Sequence, residues 1–194
     1  ARRQLANRFR QGPQALRRTR PGGPGLKAAM KRAIESDGGC TCGQVRYRLH
    51  REPLFVHCCH CRWCQRETGA AFALNGLLEA GELTLLKGRV ELVDTPSNSG
   101  RGQKIARCPA CRVALWSHYG AAGKAIHFVR IGTLDEPDAF PPDIHIYTSS
   151  KQPWVNLDGG APAVPEYYDW RDFWPAESVA RYRRAVRIRA PEDG

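Results

Sequence analysis

Residues 58 to 70 read CCHCRWCQRETGA, and Cys59, Cys61 and Cys64 fall within six positions of one another. Thiolate sulfur is a strong zinc ligand, and a Cys-x-Cys step followed by Cys-x-x-Cys lets one short loop point three sulfurs at a centre about 2.3 Å away. Three ligands leave one corner of a tetrahedron open. Two further pairs, Cys40 with Cys42 and Cys108 with Cys111, bring four thiolates that would close a second site completely. The spacing therefore predicts one closed metal site and one open one.

The fourth corner of the first site has four candidates: Cys58, His60, His57 or a ligand from outside the chain. Cys58 neighbours Cys59, so on a continuing strand the two side chains point to opposite faces, and Cys58 is expected to pack as a small apolar residue. His60 lies between two ligands and meets the same difficulty. If a histidine does ligate, the site is closed and structural; if none does, the open corner can take an incoming thiol. Metal coordination deprotonates a thiol outright, and the thiolate is the nucleophilic form. Such a site suits addition of a thiol to a small aldehyde.

The elements that must hold these residues read mainly as β-structure. SDGGCTCGQVRYRLH opens as a glycine-rich turn and a metal knuckle, then alternates through Val45, Tyr47 and Leu49 as a half-buried strand. LFVHC after Pro53 is a short apolar run that places the central cluster at a strand end, with a helical turn expected over Arg62 to Glu67. AFALNGLLE, ELTLLKG and VELVDT are closely spaced and predict antiparallel strands. In KIARCPACRVALWSHY the last cysteine pair falls between two more strands, and AIHFVRIGTL and DIHIYT alternate in the same way. Only PAESVARYRRAVRIR reads as a helix, with Pro175 in its first turn, Val179, Tyr182 and Val186 on one face and a basic, solvated outer face.

At 194 residues the chain is long enough to bury a core without depending on disulfides. Its net charge of +11 invites a nucleic-acid reading, but eight of its 30 Lys and Arg (Arg2, Arg3, Arg8, Arg10, Arg17, Arg18, Arg20, Lys27) fall in residues 1–29, which hold no acidic residue. The remainder carries 22 basic against 19 acidic residues, which argues against nucleic acid as a partner of the folded part. Residues 1–29 are expected to form a disordered basic leader, with Met30, the only methionine, as a candidate natural start and residues 30–194 as a single domain. No run approaches the roughly 18 apolar residues of a membrane span. Close Cys-x-Cys and Cys-x-x-Cys steps without a signal-peptide core favour reduced, metal-bound thiolates and a cytoplasmic location over disulfides.

GGCTCGQVRY, HCCHCRWCQRETGAAF, RCPACRVALW, GTLDEP and HIYTSSKQPW, in this order, resemble the glutathione-dependent formaldehyde-activating enzyme family, which also includes the centromere protein V group. The resemblance runs over roughly residues 38–168. It implies a β-tent fold with two zinc ions: a structural one held by Cys40, Cys42, Cys108 and Cys111, and a catalytic one held by Cys59, Cys61 and Cys64. It further implies a carbon–sulfur lyase that forms S-(hydroxymethyl)glutathione from formaldehyde and glutathione in detoxification. One departure is Arg112 after Cys111, where the family usually has a glycine able to adopt positive φ, so the turn there is expected either to be strained or to take another conformer.

Glutathione carries two carboxylates, which Arg and Lys recognise. Arg62, beside the open site, is the first candidate to bind them, with Arg101, Lys104 and Lys151 behind it. Trp154 and the cluster Tyr167, Tyr168, Trp170, Phe173 and Trp174 either line a pocket or pack over the core; His127 and His145 are expected at the edge of the core. The alternative to an enzyme is a non-catalytic, zinc-stabilised binding module of the centromere protein V type.

Overall fold

The computed structural model describes residues 35–120, 123–157 and 160–187. The predicted leader and the candidate start at Met30 lie outside them.

Strand β1 (Ser36–Gly39) and β2 (Arg46–Leu49) form an antiparallel hairpin around the first cysteine pair, and β5 (Leu83–Lys87) completes a three-stranded sheet in the order β1-β2-β5. Residues 36–39, expected as a turn, are a strand. Gly38 is there because a Cβ would come within 2.8 Å of the Tyr47 ring and 2.6 Å of the Thr133 carbonyl oxygen. The alternation read for β2 holds, with Tyr47 and Leu49 fully buried.

The larger sheet has seven strands in the order β10-β3-β4-β9-β8-β7-β6. Its members are β3 (Phe55–Cys59), β4 (Ala73–Glu79), β6 (Glu91–Thr95), β7 (Gln103–Arg107), β8 (Ala114–Tyr119), β9 (Ile126–Arg130) and β10 (Ile144–Ile146). All pairings are antiparallel except β10 with β3, which run parallel, so the antiparallel sheets expected from sequence are here one antiparallel and one mixed sheet. A parallel neighbour needs a long connection. Here it is the whole chain between β3 and β10.

Every residue of β3 is buried because the sheet is covered on both faces at this point. On one face Val56 joins Tyr47, Leu49, Leu78, Leu115, Trp116 and Val129, filling the space between the two sheets. On the other, Phe55 and Cys59 join Leu77, Ile126, Ile144 and Ile146 beneath the C-terminal aromatic residues. Tyr168, Trp170, Phe173 and Trp174 therefore pack over the core, with Phe55 and Trp174 stacked at 5.6 Å. Trp154 is exposed.

Two helices complete the described fold: α1 (Arg62–Thr68), directly after β3, and α2 (Ala176–Arg187). The face of α2 differs from expectation, since Val186 is exposed while Ser178 and Arg181 are buried beside half-buried Val179 and Tyr182. Arg181 is not part of a solvated basic face: its Nε and Nη2 donate to the Glu79 carboxylate at 2.8 and 2.6 Å, and Nη2 donates to the Glu52 carbonyl at 3.1 Å. No helix among the described residues is long and apolar enough to cross a membrane.

Candidate metal and thiol centre

The first cysteine group joins two knuckles of similar backbone design. In one, the Cys40 N–H donates to the Val45 carbonyl and the Gly43 N–H to that of Cys40; in the other, the Cys108 N–H donates to Val113 and the Arg112 N–H to Cys108, all at 3.0 to 3.1 Å. The four sulfurs of Cys40, Cys42, Cys108 and Cys111 lie within 4.8 Å of one another. Cys40 and Cys42 are 3.4 Å apart at sulfur and Cys42 and Cys108 are 3.7 Å apart. A tetrahedron with metal–sulfur bonds of about 2.3 Å has an edge of about 3.8 Å, so the group fits one ion. Burial pushes the Cys40 thiol up, but the Val45 N–H and the neighbouring thiols outweigh it and bring the group down to about 6. The second knuckle turns at Arg112, whose φ of 64° is the strained one of the two alternatives that the missing glycine leaves.

The second group follows from the junction of β3 with α1. Cys61 is the N-cap of that helix, with extended backbone (φ −65°, ψ 152°), and its sulfur accepts from the Cys64 N–H at 3.4 Å. Cys64 then comes one turn later on the same side. Cys59, Cys61 and Cys64 are all buried, and their sulfurs lie within 4.8 Å of one another. No other His, Cys, Asp or Glu among the described residues joins this group. Hydrogen bonds from the Cys59 and Cys64 thiols, followed by the N–H groups of Cys64 and Trp63, hold Cys61 far below the ordinary thiol range despite its burial. The same bond to Cys61 pushes Cys59 up. Three buried sulfurs this close together suit a thiophilic ion.

Two nearby side chains shape this centre. Arg130 is buried and hydrogen-bonded to Asn75 Oδ1 and, at 3.1 Å, to Ser117 Oγ. Tyr147, immediately after β10, has a φ of 56°. A non-glycine residue in the left-handed region costs about 1–3 kcal/mol and recurs at functional sites. Burial pushes its phenol up, partly offset by a hydrogen bond with Asn98, and the nearby Cys59 and Cys61 charges add to the rise. Sequence periodicity carries no sign of this backbone.

The histidines weighed as the fourth ligand are engaged elsewhere. His57 points away from the sulfurs toward Tyr168, with Nε2 and the phenol oxygen 2.6 Å apart, and burial pushes its imidazole down to about 3. His60 belongs to a third group, with Cys58 and His145, whose ligand atoms again lie within 4.8 Å. Cys58 thus faces two histidines in place of the purely apolar packing expected, and His145 is buried in a polar cluster rather than a bystander at the core edge. The signal that was missed is register: Cys58 and His145 are partners across the β3–β10 ladder.

Arg62 is exposed in the first turn of α1 and donates to Gln65 Oε1 at 2.8 Å. Gln65 anchors the loop by donating to the His60 and Ser150 carbonyls at 2.7 and 2.9 Å. Lys151 is turned to the Gln152 and Val155 carbonyls, Lys104 pairs with Asp94 at 2.7 Å and Arg101 is exposed. A cavity of about 430 Å³ lies by the end of α1, lined by Thr68, Phe72, Leu74, Arg107, Arg112 and Arg130 among others.

No curated protein matches the chain. Among solved structures, it is similar to a Rhodobacter sphaeroides protein at 16% identity with a TM-score of 0.38, over 66% of this chain and 99% of that one. The family model of the glutathione-dependent formaldehyde-activating enzyme matches residues 35–150, a stretch that contains all three cysteine groups. That match spans more than half of the chain, which therefore belongs to the glutathione-dependent formaldehyde-activating enzyme family.

Proposed function

We propose that this protein is a zinc-dependent carbon–sulfur lyase that adds glutathione, or another small thiol, to formaldehyde or a related small aldehyde. The observation that carries the reading is the group of exactly three buried sulfurs at Cys59, Cys61 and Cys64, with no fourth described protein ligand. Cys40, Cys42, Cys108 and Cys111 are assigned a structural zinc, and Cys59, Cys61 and Cys64 a catalytic one. Zinc at the open site supplies one chemistry, holding the sulfur of an incoming thiol as thiolate.

The chain's own residues supply the rest. The Cys64 N–H orients the Cys61 sulfur, and Gln65 fixes the loop on which both stand. Arg62, between the two ligands in sequence, is assigned to a carboxylate of the thiol substrate. When the thiolate sulfur forms its bond to the aldehyde carbon, the carbonyl π pair moves to oxygen. Tyr147, packed against the cluster that holds Cys59, Cys61 and Cys64, is assigned to donate its phenol proton to that oxygen, and the proton released when the thiol ionises restores it. The test is the rate at which formaldehyde and glutathione interconvert with their adduct, compared between the zinc-loaded protein and its Cys61→Ser variant.

A further inference from the structure

Cys58, His60 and His145 form a group separate from both cysteine sites, and its origin is the alternation of a single strand. Phe55, Cys59 and Cys61 face the aromatic side of the seven-stranded sheet, while Val56 faces the other. Cys58 and His60 share the parity of Val56. His60 continues the ladder by donating its N–H to the Ile146 carbonyl at 3.0 Å, and the parallel register sets His145 beside Cys58.

The three ligand atoms converge. His60 Nε2 is 3.5 Å from Cys58 Sγ and 3.0 Å from His145 Nδ1. Nitrogen and sulfur ligands that share an ion at bond lengths of about 2.0 and 2.3 Å are themselves separated by about 3.3–3.7 Å. The observed spacings fall within half an ångström of that range. Without an ion the group is poorly satisfied. One proton between two imidazole nitrogens leaves the Cys58 thiol competing for the same Nε2, and His60 Nδ1 is buried with no partner.

We propose that Cys58, His60 and His145 form a third metal site, selective for a monovalent thiophilic ion, with Cu(I) as the match. One thiolate and two neutral imidazoles around Cu(I) give zero net charge, whereas a divalent ion leaves a surplus charge in a place where His60 is 0% and Cys58 2% exposed. Soft sulfur with imidazole is a copper donor set, and three ligands satisfy Cu(I), where zinc takes four.

The test is an anaerobic Cu(I) titration of the purified full chain, its metal content first measured, against a chromophoric Cu(I) chelator, with released zinc followed simultaneously. The site predicts one equivalent of Cu(I) held without zinc release, and X-ray absorption showing one sulfur and two nitrogens around copper. Cys58→Ser and His145→Gln should each weaken binding by more than the roughly 10–100-fold lost when an outer-shell partner of a metal is removed. If Cys58→Ser does not fold, His145→Gln makes the same comparison. Copper taken up only in exchange for zinc, an all-sulfur environment, or equal affinity in the variants overturns the proposal.

Discussion

Cys58 and Cys59 are consecutive in β3, yet their sulfurs serve different groups on opposite faces of the sheet: Cys59 meets Cys61 and Cys64, and Cys58 meets His60 and His145. A strand buried on both faces can build two sites back to back, and only the sheet order decides what each one contains.

Arg112 is the weak point of the second knuckle. Its φ of 64° costs a non-glycine residue about 1–2 kcal/mol. Its ion pair with Glu91 is solvent-exposed and worth little. Arg112→Gly should therefore raise the melting temperature by about 2–4 °C, read by calorimetry at constant metal content. A lower value would mean that the ion pair outweighs the strain.

Cys108 is fully buried and belongs to the group that ties the β1–β2 hairpin to the turn between β7 and β8. Cys108→Ser should lower the melting temperature on the order of 10 °C, since metal binding free energy there is folding free energy. Chelation of the wild type should move it in the same direction. Cys61→Ser, in a loop next to its own helix, should lower it less.

How far the sequence reveals these features depends on the range of the interaction that creates them. Tyr47 and Leu49 announce β2 because alternation is local, and the cysteine spacings announce two groups because each knuckle is a short loop. β1 was hidden because Ser36–Gly39 has turn composition, and it is a strand only because Gly38 lets Tyr47 approach. The Cys58–His145 pairing was hidden because it needs a parallel register between residues 87 positions apart, set by a three-residue strand. Arg181 looked like a solvated cation because the carboxylate that buries it, Glu79, belongs to a strand 102 residues away.

That Arg181–Glu79 pair gives a further test. Their side chains are 7% and 13% exposed, so removing one partner strands the other. Arg181→Ala should cost about 3–5 kcal/mol by urea unfolding, and the double variant Arg181→Met with Glu79→Leu should recover most of it. An Arg181→Ala cost below about 1 kcal/mol would place the pair among solvent-screened surface bridges.

Tyr47 makes the fold sensitive to alkali. Burial, partly offset by its hydrogen bond with Thr133, pushes its phenol up to about 12, against about 10 in an unfolded chain. Between these values the folded state binds more protons, so stability is complete below about pH 10 and falls as pH rises through about 12, by about 3 kcal/mol in all. Urea midpoints should decline over that window, and less steeply in Tyr47→Phe. Parallel declines would exclude Tyr47 as the cause.

Tyr147→Phe removes the proposed proton donor while keeping the ring. The rate of adduct formation should fall on the order of a hundredfold with the circular dichroism spectrum and metal content unchanged. An unchanged rate would remove Tyr147 from the reaction.

The most direct measurement of the central claim is magnetisation-exchange NMR on formaldehyde and glutathione at equilibrium, with zinc-loaded protein, without protein, and with folded Cys61→Ser. Thiol activation at Cys59, Cys61 and Cys64 predicts faster exchange with the wild type and the uncatalysed rate with the variant. Equal acceleration by both proteins, or none by the wild type with both zinc sites filled, would contradict it.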